Sequence, residues 1–338
     1  MPATLKDIAK KSGFSVTTVS RALSGYDDVN PGTREHIVTI ADELGYQPNH
    51  SARQLQGQKT HTIGLVIAPP AHNPDDDFYS LLLKGLTYAA AHSGYDILAS
   101  APAADATELD VYQRIVGSKR VDGMVVARTN RDDRRIAYLQ SVDCPFIVHG
   151  RAAPDATSNF HYIDVDSQQG IMAVTQHLLE RGHTHVGIIL PAEQFAFSQY
   201  RQAGYMAALA AYNIMFRPEY CAYGTLTLDS GYTAACQLLS QQPQLTAIVG
   251  CNDWMALGAM KAVNEAGYTI GKDFAVAGYD DIPAAAHAST SLTTVRQPIY
   301  AIGEMLIARL LTIINDDPTT FHQTLIEPEL VIRDSSGG

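Results

Sequence analysis

The strongest constraint on this chain is an alternation that begins at Thr62, where short apolar runs are separated by amphipathic stretches of helical length. Thr62-Ile63-Gly64-Leu65-Val66-Ile67-Ala68 reads as a buried strand, and residues 81–92 read as a helix. Tyr95-Asp96-Ile97-Leu98-Ala99, Gly123-Met124-Val125-Val126 and Pro145-Phe146-Ile147-Val148 continue the strands. A second series is expected to open near Tyr162-Ile163-Asp164-Val165. It runs through Val186-Gly187-Ile188-Ile189-Leu190, Ala247-Ile248-Val249 and Phe274-Ala275-Val276-Ala277. Strands alternating with helices at this spacing form parallel sheets covered on both faces. Two series predict two doubly wound α/β lobes, with ligands held where the carboxyl ends of the strands face each other.

The first sixty residues follow a different rule. Thr4 and Asp7 have the spacing of a capping box, and Leu5, Ile8, Ala9 and Ser12 then share one helical face. Gly13 and Phe14 interrupt, and Ser15 can cap a second helix running through Val19 and Leu23. A break this short containing a glycine is a helix-turn-helix pattern. Asn30 and Pro31 open a third helix with Ile37, Ile40, Ala41 and Leu44 as its inner stripe, closed by Gly45. Val16, Thr17, Thr18, Ser20 and Arg21 point away from the Val19/Leu23 face. Small hydroxyl side chains with one arginine suit base edges and phosphates in a major groove. On pattern alone a helical dimerisation cap is the alternative.

Charge sharpens the division. The chain of 338 residues has a net charge of −11, which taken whole is wrong for a nucleic-acid binder. Residues 1–60, however, hold seven basic and six acidic side chains, so the head is +1 and the remainder −12. No apolar run reaches the roughly eighteen residues of a membrane span. Residues 1–11 lack the pattern of an export signal. Cys144, Cys221, Cys236 and Cys251 are scattered, so neither a disulfide framework nor a zinc cluster is expected, and the expected compartment is the cytoplasm.

Two blocks of the head resemble the LacI/GalR (lac repressor type) transcriptional regulators. They are Thr4-Leu5-Lys6-Asp7-Ile8-Ala9 and Gly13-Phe14-Ser15-Val16-Thr17-Thr18-Val19-Ser20-Arg21-Ala22-Leu23. Gly45-Tyr46-Gln47-Pro48-Asn49 and Ala52-Arg53-Gln54-Leu55 continue the likeness, which extends over nearly the whole chain. The resemblance implies a DNA-binding head with its hinge helix over residues 1–58, followed by two lobes of periplasmic-binding-protein type over residues 61–338. Val16, Thr17 and Arg21 take the base-reading positions, and Thr4, Lys6, Ser15, Thr18, Ser20, Asn30 and Asn49 complete the DNA-facing set. Residues 49–57 would be the hinge helix that folds when two copies meet in the minor groove. Leu55 is then the apolar wedge at a base step, and Ala52 lets the backbone approach. Without the likeness, that stretch reads as a plain polar linker.

Further blocks carry the likeness into the lobes. Asn252-Asp253-Trp254-Met255-Ala256-Leu257-Gly258, Gly278-Tyr279-Asp280-Asp281-Ile282-Pro283 and Arg201-Gln202-Ala203-Gly204-Tyr205 resemble cleft motifs. By position Arg201, Asn252 and Asp280 would hydrogen-bond a small ligand's hydroxyls. Phe78 and Tyr79 would supply an aromatic wall, with ordinary core packing the alternative for one of them. Arg128 and Arg151 follow strand ends and so face the cleft, Arg151 as a ligand contact or as a lobe-bridging salt link. Leu226 stands where some relatives carry a stacking aromatic, and Trp254 reads as core packing near the cleft. Ser291-Leu292-Thr293-Thr294-Val295-Arg296-Gln297-Pro298 marks the crossing between lobes. The first lobe is expected over about residues 61–160 and 295–320, the second over about 162–290 and 321–333.

The reading is therefore a repressor of carbohydrate-utilisation genes. It would be a homodimer on near-palindromic double-stranded operator DNA, cytoplasmic and nucleoid-associated, with a sugar as effector and no cofactor, metal or membrane partner. Enzyme signatures are absent: there is no Gly-x-Gly-x-x-Gly, P-loop or Gly-x-Ser-x-Gly. His183-Thr184-His185 reads as the approach to a strand rather than a metal pair, and Asp75-Asp76-Asp77 as a solvated loop at the cleft rim. A sugar-binding protein or a carbohydrate enzyme without a DNA role are the competing classes.

Overall fold

The computed structural model describes residues 3–23, 26–46, 59–67, 77–316 and 321–337. The chain divides into two compact units, Met1–Thr60 and His61–Gly338. In the first, α1 (Leu5–Ser12), α2 (Val16–Leu23) and α3 (Pro31–Glu43) pack on one another. Their core is Ile8, Val19, Ala22, Val29, Ile37, Ile40 and Ala41, the residues that fall at helical spacing. Both termini of α1 are closed locally. The Thr4 amide and hydroxyl donate to Asp7 Oδ2 at 2.9 and 2.7 Å, and Gly13 takes the left-handed conformation at φ 75°.

The larger unit starts with β1 (Thr62–Val66), α4 (Asp77–His92), β2 (Asp96–Ser100), α5 (Glu108–Gly117), β3 (Gly123–Ala127), α6 (Arg134–Ser141), β4 (Phe146–His149) and β5 (Tyr162–Val165). It continues with α7 (Ser167–Glu180), β6 (Val186–Pro191), α8 (Ala196–Ala211), β7 (Cys221–Gly224), α9 (Leu228–Gln241), β8 (Ala247–Gly250), α10 (Asp253–Glu265) and β9 (Ala275–Ala277). Last come α11 (Pro283–His287), β10 (Thr294–Arg296), α12 (Ile299–Asp316), β11 (Gln323–Ile326) and β12 (Glu329–Val331). The strands form a six-stranded sheet ordered β11-β5-β4-β3-β1-β2 and a four-stranded sheet ordered β7-β6-β8-β9, with every pairing parallel. Among the described residues no helix is long and apolar enough to cross a membrane.

The allegiance of two strands corrects the expected lobe boundaries. β5 belongs to the first sheet, with Val148 and His149 of β4 opposite Tyr162 and Ile163. β11 pairs in parallel with β5, Gln323 opposite Tyr162 through Ile326 opposite Val165, so the returning chain adds an edge strand to the first sheet. The apolar pattern identifies both as strands. Only the packing of Ile163 and Val165 against Ile147 and Ala127 decides which core they join. In the same lobe α4 and α12 cross so closely that a Cβ on Gly85 would lie 2.0 Å from the Tyr300 carbonyl.

Between the sheets, β10 and β12 form an antiparallel pair, Thr294 opposite Val331 and Arg296 opposite Glu329. This ribbon is tied to the second lobe. The Asp281 carboxylate holds Arg296 Nε and Arg333 Nη2, each at 2.6 Å, and Arg296 also reaches Glu329 at 2.9 Å. Burial works against that carboxylate, yet Arg333 and Arg296 keep it ionised below the usual carboxylate range. The following residues are sewn in as well. Ser335 Oγ donates to the Val276 carbonyl at 2.6 Å and accepts from the Thr293 amide at 2.8 Å, while Ser336 Oγ lies 2.8 Å from His177 Nε2.

A second carboxyl in this region behaves in the opposite way. Asp253, fully buried at the start of α10, accepts from Thr294 Oγ1 at 2.5 Å and from the Ile282 amide at 2.9 Å. Gly278 leaves room for it, because a Cβ there would lie 2.1 Å from Asp253 Oδ1. Burial first, and the Asp280 charge second, push the Asp253 pKa from 3.8 up to about 7, against the opposing hydrogen bonds. An acid whose folded-state pKa is raised stays protonated in the fold while the unfolded chain is already ionised. Its contribution to stability therefore falls as pH rises from 3.8 to about 7. Asp253→Asn imitates the protonated form, so its melting temperature should gain roughly 5 °C on the wild type between pH 5 and pH 8. Parallel melting curves across that range would show that Asp253 does not titrate there.

Candidate functional site

The first sheet changes direction at β1, which lies between β2 and β3. The second does so at β6, between β7 and β8. At such switch points the loops after the strands diverge and leave a crevice. A cleft of about 690 Å³ lies there, built almost wholly from residues that follow strand ends. The first lobe contributes Asp77 and Phe78 at the start of α4, Arg128 and Thr129 after β3, and His149 and Gly150 at the end of β4. Asp164 and Val165 close β5. The second lobe contributes Phe197 and Arg201 on α8, Leu226 after β7, Asn252 and Trp254 after β8, and Asp280 after β9. Gln297 enters from the crossing ribbon.

Of the expected ligand residues, Phe78, Arg128, Arg201, Asn252 and Asp280 line this cleft, and Tyr79 and Arg151 do not. Tyr79 is buried in the first-lobe core, so the aromatic wall on that side is Phe78 alone. Phe78 meets His149 edge-on at 5.3 Å and carries the Arg128 guanidinium 4.9 Å above its ring. Arg128 sits at φ 54°, a conformation held from behind: Arg135 Nη2 donates to the Arg128 carbonyl at 2.8 Å. Arg135 is itself buried between Asp133 and Glu108, each 2.6 Å away. Arg151 does not line the cleft, and its ion pair with Asp164 stays within the first lobe, so its reach to the second lobe is through an aromatic ring. Its Nε pairs with Asp164 at 2.9 Å, and its guanidinium lies 4.0 Å from the ring of Tyr200 on α8.

Arg201 is buried, donates through Nη1 to the Cys251 carbonyl, and is stacked between Phe197 at 4.8 Å and Tyr279 at 4.1 Å. The Asn252 amide is largely occupied by structure. Its Oδ1 caps α10 by accepting from the Met255 amide at 2.9 Å, and its Nδ2 donates to the Leu226 carbonyl at 3.0 Å. Asp280 has φ 126°, accepts from Gln297 Nε2 at 2.6 Å, and bonds through its own amide to the Val295 carbonyl at 2.8 Å. It thus belongs to the cleft and the crossing ribbon at once.

Sequence reasoning missed His149, Asp164, Ser167, Phe197 and Gln297, and took Trp254 for core packing. Trp254 does pack partly against the second-lobe core, and it also lines the cleft. The available signal was position: His149 ends β4, and Asp164 lies near the end of β5. Burial depresses the His149 pKa, which keeps the imidazole neutral against the opposing pull of Asp164. Among the described residues no group of three or more His, Cys, Asp or Glu could hold a metal ion. His183 and His185 instead face the hydroxyls of Thr246 and Thr184, at 3.1 and 3.2 Å.

In the head, Val16, Thr17 and Arg21 are exposed on α2, and Lys6 is exposed on α1. Ser15 caps α2 through Oγ, which accepts from the Thr18 amide at 3.1 Å and meets the Thr18 hydroxyl at 2.8 Å. Asn30 Oδ1 accepts from the Gly32 amide at 3.0 Å, so both of these expected DNA-facing residues also shape the helix starts. Thr4 closes α1, and Ser20 is half-buried. Arg21 pairs with Asp28 and lies 5.2 Å from the Tyr26 ring. Asn49, Ala52 and Leu55, with the expected hinge helix over residues 49–57, lie outside the described residues.

Comparison with known proteins agrees with this arrangement. Residues 4–49 match the bacterial regulatory proteins, lacI family, and residues 175–336 match the periplasmic binding protein-like domain. The chain is 32% identical over its whole length to the HTH-type transcriptional regulator AglR of Rhizobium meliloti, covering 95% of that protein. It is 30% identical to CelR of Thermobifida fusca, with 98% of each chain covered. Among solved structures it is similar to a CelR–cellobiose complex, with a TM-score of 0.77, 29% identity and 98% and 99% of the two chains covered. A lac repressor dimer bound to operator and the anti-inducer ONPF gives a TM-score of 0.84 at 25% identity, with 99% of each chain covered. The chain therefore belongs to the LacI family of bacterial regulatory proteins, and is a DNA-binding transcriptional regulator rather than an enzyme.

Proposed function

We propose that this regulator represses carbohydrate-utilisation genes and that a sugar bound in the cleft sets its affinity for operator DNA. The observation that carries the reading is the double attachment of Asp280, which lines the cleft and is bonded to Gln297 and Val295 of the segment joining the lobes. A ligand that competes for the Asp280 carboxylate acts directly on that segment and so on the angle between the lobes. Cellobiose in the complex of the similar CelR supports a sugar as the class of effector.

In this reading two copies form a homodimer in the cytoplasm, and their heads sit on the two halves of a near-palindromic site. Val16 and Thr17 meet base edges, Arg21 leaves Asp28 to do the same, and Lys6 and the hydroxyls around the helix starts meet phosphates. Residues 49–57 would be the minor-groove hinge that the family resemblance implies, with Leu55 as the wedge at a base step and Ala52 allowing close approach. The lobe angle decides whether the two hinge segments can meet, which is the coupling between sugar and DNA.

Two measurements test it. Leu55→Ala should lower affinity for a duplex from the upstream region of its own gene by at least roughly tenfold in fluorescence anisotropy, because the wedge is lost. Unchanged affinity would refute the hinge assignment. Asp280→Asn should bind the same duplex but stop responding to the sugar that releases or tightens the wild type. A variant whose operator affinity still followed that sugar would remove Asp280 from the coupling.

A further inference from the structure

Buried polar atoms in folded proteins almost always find partners, so those that do not deserve an explanation. Four such atoms belong to residues lining this one cleft: Trp254 Nε1, Arg201 Nε, His149 Nε2 and Ser167 Oγ are buried with no hydrogen-bond partner among the described residues. Their residues come from both lobes, with His149 at the end of β4 and Arg201 and Trp254 on the second-lobe helices α8 and α10. Arg201 is 6% exposed and immobilised by Phe197, Tyr279 and the Cys251 carbonyl, so its free Nε–H has a fixed direction. Trp254 follows Asp253, whose bonds to Thr294 and Ile282 fix the first turn of α10. Both atoms can only donate.

The charges of the cleft narrow the class of ligand further. Among the described residues three carboxylates line it, Asp77, Asp164 and Asp280, against two guanidinium groups, those of Arg128 and Arg201. Arg151 balances Asp164 from outside the lining, and His149 is neutral. The described lining offers no excess of positive charge for a phosphate or a carboxylate. What the site offers is fixed N–H donors, carboxylate acceptors, and apolar faces at Phe78, Phe197 and Trp254. That is complementary to the hydroxyls, ether oxygens and C–H faces of an uncharged sugar.

We propose that Trp254 is a specificity-determining residue of the effector site, donating its indole N–H, as Arg201 donates its Nε–H, to oxygens of an uncharged glycoside, and that phosphorylated and uronic sugars are refused. The inference rests on the reading of the cleft as the effector site. Within it, His149 Nε2 is offered by the first lobe, and the Asp280 carboxylate accepts from a ligand hydroxyl.

The chain contains one tryptophan, so intrinsic fluorescence of the full-length protein reports this residue alone. Titration with maltose, cellobiose, trehalose and melibiose, and separately with glucose 6-phosphate and glucuronate, tests the class of ligand. At least one neutral disaccharide should change the Trp254 emission saturably and protect it from acrylamide quenching, with neither anion doing so. Calorimetry on Trp254→Phe, which keeps an aromatic ring but lacks the N–H, should then show about tenfold weaker binding of that disaccharide. Should Trp254→Phe fail to melt cooperatively without ligand, the wild-type quenching result decides alone. Unchanged affinity in Trp254→Phe, or a neutral sugar that binds by calorimetry without shielding the indole, would overturn the role of Trp254. Binding of the anions but not of the neutral sugars would overturn the class of ligand while leaving the cleft as effector site. No heat with either set would instead overturn the reading of the cleft itself.

Discussion

The Asp281 carboxylate, gripped by Arg296 and Arg333, is the contact on which the two-lobed unit depends. Three segments link the lobes, and none is stiff by itself: the step from β5 to α7, the ribbon strand β10, and the step from β11 to β12. Asp281 bonds a residue of the second and a residue that follows the third, from the loop that also presents Asp280 to the cleft. Both aspartates have positive φ, 126° and 58°, which non-glycine residues adopt at a cost. The ion pairs and the bond from the Asp280 amide to Val295 hold the loop in that form. Asp280 thus lines the cleft and is bonded directly to Val295 and Gln297 of the crossing segment, the connection on which the proposed coupling rests.

A similar logic supports the first-lobe side of the cleft. Arg128 owes its position to a buried group behind it, where Arg135 satisfies Asp133 and Glu108 and still donates to the carbonyls of Ala127 and Arg128. A buried ion pair adds little net stability over apolar packing, and its best-attested benefit is to fix one arrangement. Here it fixes the exit of β3 and presents a guanidinium above Phe78. The cleft therefore has well-braced walls on each lobe, which suits the proposed control through the angle between them.

Much of this was legible in the residues. Helical spacing of Ile8, Val19, Ile37 and Ile40 gave the head, and the caps at Thr4, Ser15 and Asn30 stand where side-chain chemistry puts them. The strands were legible as strands, but the sheet that β5 and β11 join was not, since pairing between distant segments leaves no mark in local periodicity. For the same reason Arg128 was placed correctly from its strand end, whereas Arg151 turned to Asp164 and Tyr79 turned inward. Asn252 shows a further limit: the residue type and position were right, but its amide is drawn into capping α10 and bonding Leu226. Trp254 packs against the second-lobe core, as expected of a large aromatic near the cleft, and it also lines the cleft. Its buried, unpartnered nitrogen is the feature that no local pattern foretells.

The uneven charge of the chain acquires a physical sense in the head. A lone arginine on an exposed helical surface with a net charge near zero is a weak lure for DNA, and here Arg21 is already paired with Asp28 beside Tyr26. Exchanging that carboxylate for a phosphate or a base edge gains little in one head, since one ion contact replaces another. The acidic remainder, at −12, repels the duplex over a Debye length of about 8 Å in physiological salt. Each head alone should thus bind weakly and with little preference, and useful affinity must come from two heads engaged together. That makes DNA binding acutely sensitive to whatever sets their spacing. On the proposed reading, a change in the angle between the lobes controls the association by setting whether both heads can engage at once.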